Sequence, residues 1–185
     1  MNDVPSRGAD DWIRKLRVEA PLGQVIDLVL LRLRTADGEE QYDLAFELVL
    51  LLEESGRHEQ ALEIVDQMIE TFLDDVRFPI MKSSINLHYL LNYEEALMCI
   101  DAALKRAYRT GCFRREALGV KARILLQLER GEQLSAVLDE IMSVEPIENV
   151  PDVGRERDFV DRAPPGLIEE EILIRYNQFR PRRDE

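Results

Sequence analysis

Long apolar runs are missing from this chain of 185 residues. The most apolar early stretch, VIDLVLLRL, carries Asp27 and Arg32 and is far too short to span a bilayer. The opening MNDVPSRGADDW has no apolar run of signal-peptide length. These features predict a cytoplasmic protein, and they leave secretion by a route without a cleavable signal open.

Basic residues are scarce beside acidic ones. The chain has 24 Lys and Arg against 37 Asp and Glu, which gives a formal net charge of −13. Nucleic-acid binding is disfavoured because phosphate contacts need Lys and Arg, and an anionic membrane surface is disfavoured for the same reason. A partner that is itself basic fits this charge.

Cysteine and histidine are too few for most catalytic or metal sites. Cys99 and Cys112 imply no disulfide framework, and His58 and His88 show no metal-ligand spacing. The phosphate-binding, dinucleotide-binding and nucleophile motifs are also missing. Acidic pairs such as Asp74–Asp75 are expected on solvated surfaces. The sequence therefore predicts no catalytic residue, no cofactor and no metal, and it leaves an enzyme or enzyme subunit without a visible motif as the alternative.

The apolar residues follow helical spacing, and Gly and Pro punctuate them. No segment shows the alternation of a strand. The predicted organisation is a polar flexible tail at 1–9, a helical-repeat domain at 10–144 with a short first helix at about 10–18 and a leading helix at 21–34, helix hairpins at about 40–72, 76–109 and 112–144, an extended proline-containing connection at 145–166, and a C-terminal helix with a charged tail at 167–185.

One helix pattern occurs three times, in GRHEQALEIVDQMIE, NYEEALMCIDAALKR and RGEQLSAVLDEIMSV. Ala61, Ala96 and Leu134 coincide when these segments are superimposed, as do Asp66, Asp101 and Asp139. An apolar helix and a tight break precede each segment, so the repeating unit is a helix hairpin. Because a single hairpin cannot bury both of its faces, the repetition predicts hairpins stacked around a continuous core.

The segments GRHEQALE and NYEEALMC resemble the tetratricopeptide repeat (TPR) family, with Ala61 and Ala96 at its small alanine. The resemblance covers about residues 40–144. Ser84 and Ala122 match the small position of the first helix, where the first hairpin has Val49. The third hairpin departs further, with Leu134 in place of the alanine and Gly131 in place of an aromatic residue. The resemblance implies an all-α fold, a right-handed superhelical array of about three antiparallel hairpins flanked by N- and C-terminal helices.

The resemblance also implies a concave groove, lined by the first helix of each hairpin, in which a peptide or helix of a partner binds. The family's groove positions fall on Asp43, Phe46, Leu50 and Glu53, on Met81, Ile85, His88 and Tyr89, and on Glu116, Arg123, Leu126 and Gln127. They form an apolar strip with an acidic rim, without the Lys/Arg/Asn clamp of the chaperone-binding members. The last helix is expected either to cap the array or to occupy this groove.

The resulting functional hypothesis is a protein-binding adaptor or scaffold. A bacterial immunity or accessory protein that neutralises a basic partner is an alternative within this class, and a second copy of the chain is another candidate partner. A transcription regulator is disfavoured because residues 1–34 are too short and insufficiently basic for a DNA-binding unit.

Overall fold

The computed structural model describes residues 7–144 and 160–179, in which all regular secondary structure is helical. The helices are α1 (Arg7–Glu19), α2 (Leu22–Leu33), α3 (Gly38–Glu54), α4 (His58–Thr71), α5 (Arg77–His88), α6 (Tyr93–Thr110), α7 (Arg114–Gln127), α8 (Gly131–Ser143) and α9 (Glu170–Phe179). Most of the predicted connection, 145–159, lies outside the described residues, as does the predicted charged tail from residue 180 onward.

Each helix packs on the next along the chain, from α1 to α8, and α9 packs against α8. Helices α1 and α2 form an additional pair, because α1 contacts both α2 and α3. The predicted tail at 1–9 is therefore too long: the first helix begins at Arg7, and Ala9 is buried beside Ile13. These two residues, one helical turn apart, pack into the core cluster that α2, α3 and α4 share.

The apolar core consists of two clusters, and α5 contributes to both. Phe78 and Ile85 pack into the cluster of α1–α4, whereas Val76, just before α5, and Leu87 pack into the cluster of α6–α9. Helix α5 thus has apolar residues on opposite sides and no single apolar stripe. It is the element through which the two halves of the core are joined.

The turn inside the second hairpin is one residue longer than the equivalent turns. Residues 55–57 and 128–130 connect α3 to α4 and α7 to α8, whereas residues 89–92 connect α5 to α6. A backbone hydrogen bond closes each turn, from Arg57 N to Leu52 O (2.8 Å), from Arg130 N to Leu125 O (2.9 Å) and from Asn92 N to Asn86 O (2.9 Å). The first two bonds reach back five residues and the third reaches back six, so the extra residue is accommodated within the turn.

This extra residue moves the close-packing position of α5 by one. Ser83, not the predicted Ser84, is fully buried and donates a hydrogen bond from its hydroxyl to the carbonyl of Ala96 at 2.8 Å. Ser83 is therefore the counterpart of Val49 and Ala122, which are fully buried in α3 and α7. The sequence analysis assigned the buried position of α5 to Ser84 because it assumed that the three turns are equally long.

A repeated ion pair joins successive hairpins. The predicted equivalents Asp66, Asp101 and Asp139 pair with Lys82 (2.8 Å), Lys121 (2.7 Å) and Arg175 (2.8 Å), in each case on the following described helix. Each pair is partly exposed, so it adds little stability on its own. Its recurrence shows that α9 stands to α8 as α5 stands to α4, in the position of a further first helix.

The segment before α9 crosses the start of α8. The backbone N–H of Glu169 donates to the hydroxyl of Ser135 at 3.0 Å, and a Cβ added at Gly131 would lie 2.1 Å from the carbonyl oxygen of Leu167. Ile168 and Tyr176 are buried in the same contact. The C-terminal helix therefore covers the α8 end of the array, and it begins at Glu170, three residues later than predicted. The backbone carbonyl of Leu167 thus occupies the space in which His58 and Tyr93, the residues at the same place in the other hairpins, carry a ring.

Candidate functional site

The first helices of the three predicted hairpins, α3, α5 and α7, meet through one side chain. The guanidinium of Arg77, in the first turn of α5, lies 4.6 Å from the ring centroid of Tyr42 and 5.6 Å from that of Phe46, both on α3. It also lies 5.4 Å from the ring of Phe113, which precedes α7. Cation–π attraction over three rings fixes the N-terminal ends of these helices side by side. We call the surface that α3, α5 and α7 form together, on the side of Arg77, the first-helix face.

Arg77, Ser84 and His88 lie on the same side of α5, since they are seven and four residues apart. Lys82 points the other way, toward Asp66 of α4. Two predicted groove residues of α5 do not share this side. Ile85 is fully buried in the core and cannot contact a ligand. The prediction placed Ile85 in the groove because it numbered α5 as if its turn were as short as the other two. When the longer turn is counted, Arg77 and Ser84 take groove positions that the prediction missed.

Tyr89 also lies away from the first-helix face. Its ring stacks on that of His58, at the start of α4, with centroids 4.0 Å apart and planes 12° from parallel. This contact ties the end of α5 to the preceding hairpin. Tyr89 was assigned to the groove as if α5 continued past His88, but it is the first residue of the longer turn. The turn length was the signal that could have revealed this.

A cavity of about 310 Å³ lies where α5 and α7 end. It brings together four predicted groove residues, His88, Arg123, Leu126 and Gln127, and it is lined as well by Leu87, Leu91 and Tyr93. Burial lowers the pKa of His88, and the nearby charge of Arg123 lowers it further, so both effects favour the neutral imidazole. An apolar side chain would fit this cavity beside one cation and one neutral hydrogen-bonding ring.

The remaining predicted groove residues lie apart from this cavity. Leu50 is 40% exposed on α3, and burial raises the pKa of the neighbouring Glu53 carboxyl. Phe46 and Met81 are half-buried and pack against the α1–α4 cluster. Of the two remaining acidic groove positions, Asp43 is buried and Glu116 is half-buried.

The predicted acidic rim is incomplete, because two guanidinium groups belong to the first-helix face. Arg77 bridges the three helices at one end, and Arg123 lies in the cavity at the other. The side-chain nitrogens of both are hydrogen-bond donors, which suit carboxylate acceptors. The face therefore has a cationic group at each end, in a chain that is acidic as a whole.

Asp75 was predicted to be solvated, but it holds the α4–α5 connection in place. Its carboxylate accepts a hydrogen bond from the hydroxyl of Tyr42 at 2.8 Å and another from the backbone N–H of Phe78 at 3.0 Å. Its carbonyl accepts from Arg106 of α6 at 3.0 Å. Burial, together with the Asp75 carboxylate, raises the pKa of Tyr42 well above its usual value. Asp75 therefore has a structural role: it holds the start of α5 against α3 and α6.

Neither cysteine has the surroundings of a nucleophile. Cys99 is buried, and burial raises the pKa of its thiol to about 11, so the thiolate is rare at neutral pH. Cys112 is exposed, and its thiol contacts the backbone carbonyl of Thr110. Within residues 7–144 and 160–179, no three His, Cys, Asp or Glu side chains are grouped as metal ligands. None of the described helices combines the length and apolarity needed to cross a membrane.

No protein-family model matches the sequence, and no curated protein matches it. Among solved structures, the fold is similar to a crystal structure from Podosopora anserina described as a kinesin light chain with nearly identical TPR-like repeats. The match has a TM-score of 0.58 and covers 94% of this chain and 93% of that chain, at 12% sequence identity. This chain has a TPR-like helical-repeat fold. At that identity the likeness establishes the fold alone, and it confirms the predicted all-α array of stacked hairpins.

Proposed function

We propose that this TPR-like protein is an adaptor or scaffold that binds a peptide or helix of a partner protein along the first-helix face. The observation that supports this proposal is the cavity of about 310 Å³ between the ends of α5 and α7. An apolar side chain of the partner enters this cavity, and the rest of the segment follows α5 toward Arg77. Buried anchor side chains of this kind supply most of the affinity in helix and peptide recognition.

The charges of this chain favour a partner both through long-range attraction and through local contacts. The net charge of −13 favours a partner that is basic overall, through long-range attraction. Locally, Arg123 adds a cationic group beside the apolar anchor, whereas Arg77 lies at the opposite end of the face, 3.8 Å from the carboxylate of Asp75. A cytoplasmic location forms part of this proposal and rests on the sequence.

The test is affinity capture from native lysate with three full-length baits: the natural chain, Leu50→Asp and Met98→Asp. Leu50 is 40% exposed on the first-helix face, and Met98 is 62% exposed on α6, a second helix. Both substitutions place a carboxylate on a helix surface without emptying the core, so they are matched in chemistry and differ in location.

A protein retained by the natural chain and by Met98→Asp, but lost with Leu50→Asp, would support binding on the first-helix face. Partners retained equally by all three baits would place the binding surface elsewhere and contradict the proposal. Circular dichroism of each bait controls for folding.

A further inference from the structure

The turn between α5 and α6 exposes three large apolar side chains in succession. Tyr89, Leu90 and Leu91 are 48%, 41% and 61% exposed. Leu91 also has a φ of +54°, in the left-handed region. The residue at the same place in the other two turns is Gly56 or Glu129. Both the left-handed backbone and the exposure of apolar surface to water are unfavourable for a leucine. Their combination at Leu91 points to a contact with another molecule.

Recesses lie on both sides of the two leucines. Leu91 borders the cavity of about 310 Å³ described above, and Leu90 borders a second cavity of about 470 Å³. Residues 56–60, at the start of α4, line the rest of that second cavity. We call the turn and these two cavities the turn patch. It combines projecting apolar groups with spaces that can receive such groups.

The turn patch carries little net charge. Of the residues that line its two cavities, Arg57 and Arg123 are cationic and Glu59 is anionic. The chain as a whole carries −13, so two copies that approach through acidic surfaces repel each other. A near-neutral patch with both signs of charge can face its own copy without that penalty.

We propose that the turn patch is the contact surface of a homodimer with two-fold symmetry. A two-fold axis places a surface on itself, so the surface must be self-complementary, as projecting leucines beside recesses are. Leu90 and Leu91 of each copy enter the recesses of the other. This contact extends beyond the first-helix face and shares the cavity at its end, so a second copy and the apolar anchor of a partner would compete for that cavity.

Sedimentation equilibrium of the full chain tests this assembly, with the variants Leu91→Asp and Leu73→Asp. Aspartate tolerates the left-handed backbone better than most residues, so Leu91→Asp keeps the turn. Leu73 is the matched control: it is 67% exposed in the connection between α4 and α5, at the opposite ends of these helices. Leu90→Asp repeats the test at the second leucine, and circular dichroism checks that each variant folds.

We expect the natural chain and Leu73→Asp to show the same reversible dimer. Leu91→Asp should raise the dissociation constant at least about a hundredfold, because each of the two copies loses one buried leucine. Added salt should strengthen the dimer, since it screens repulsion between two acidic chains. A natural chain that stays monomeric would overturn the proposal. So would Leu90→Asp and Leu91→Asp variants that dimerise as tightly as the natural chain.

Discussion

The substitution Gly131→Ala should loosen the C-terminal helix α9 without touching the first-helix face. The new Cβ would lie 2.1 Å from the carbonyl oxygen of Leu167, a backbone atom that a side-chain rotation cannot move away. The segment before α9 must therefore shift, which strains the hydrogen bond from Glu169 N to Ser135. Overpacking typically costs about 1–3 kcal/mol, and a lost hydrogen bond about 0.5–1.5 kcal/mol. The expected loss in the free energy of unfolding is about 1.5–4.5 kcal/mol, on the sum of these terms.

Urea unfolding followed by circular dichroism measures this loss, and Gly23→Ala is the matched control. Gly23 lies in α2, and nothing comes within 4 Å of a Cβ added there. Alanine should therefore be neutral or stabilising at that site, by up to about 1 kcal/mol. In the Gly131→Ala background, Tyr176→Ala should cost less than in the natural chain, since α9 is already displaced. Equal stability of Gly131→Ala and Gly23→Ala would refute the packing of this segment against α8.

Three further measurements test other parts of the structure. Ser83→Val should destabilise the protein by about 1–3 kcal/mol in urea unfolding, whereas Ser84→Val should change stability by less than about 0.5 kcal/mol; the reverse order would contradict the register of α5. A maleimide at pH 7 should label Cys112 rapidly and Cys99 only after unfolding, as peptide mapping would show, because burial raises the Cys99 pKa to about 11. In the Leu90→Asp background, where the dimer is already weakened, Leu91→Gly should stabilise the folded chain by about 1 kcal/mol, since it relieves a left-handed backbone, and an unchanged or lower melting midpoint would argue against that strain.

Helical periodicity and the repeated segments were sufficient to predict the fold. Ala61 and Ala96 are fully buried, and the three equivalent aspartates occupy equivalent places in the array. The failures concern contacts between residues far apart in sequence. Asp75 looked like any other acidic residue in an acidic chain, because nothing local shows that the hydroxyl of Tyr42 will reach it.

The site was harder to predict than the fold, for a related reason. Carrying positions from one hairpin to the next assumes a constant offset, and this held between α3 and α7 but not for α5. The error moved Ile85 into the groove and left out Arg77, which contacts all three first helices or their caps. A shift of one residue turns a helical side chain by about 100°, so a small error in a turn changes which side chains face a ligand.

The same added residue explains the exposure of the turn patch. Without it, the turn would have three residues, and Ser83 would lie as far from the end of its turn as Val49 and Ala122 lie from theirs. The register of α5 would therefore stay the same, and the residues of α5 on the first-helix face would keep their places. The turn, however, would have one fewer residue with which to project its leucines. Deleting Leu90 should consequently weaken the dimer while Ser83 keeps its hydrogen bond to Ala96.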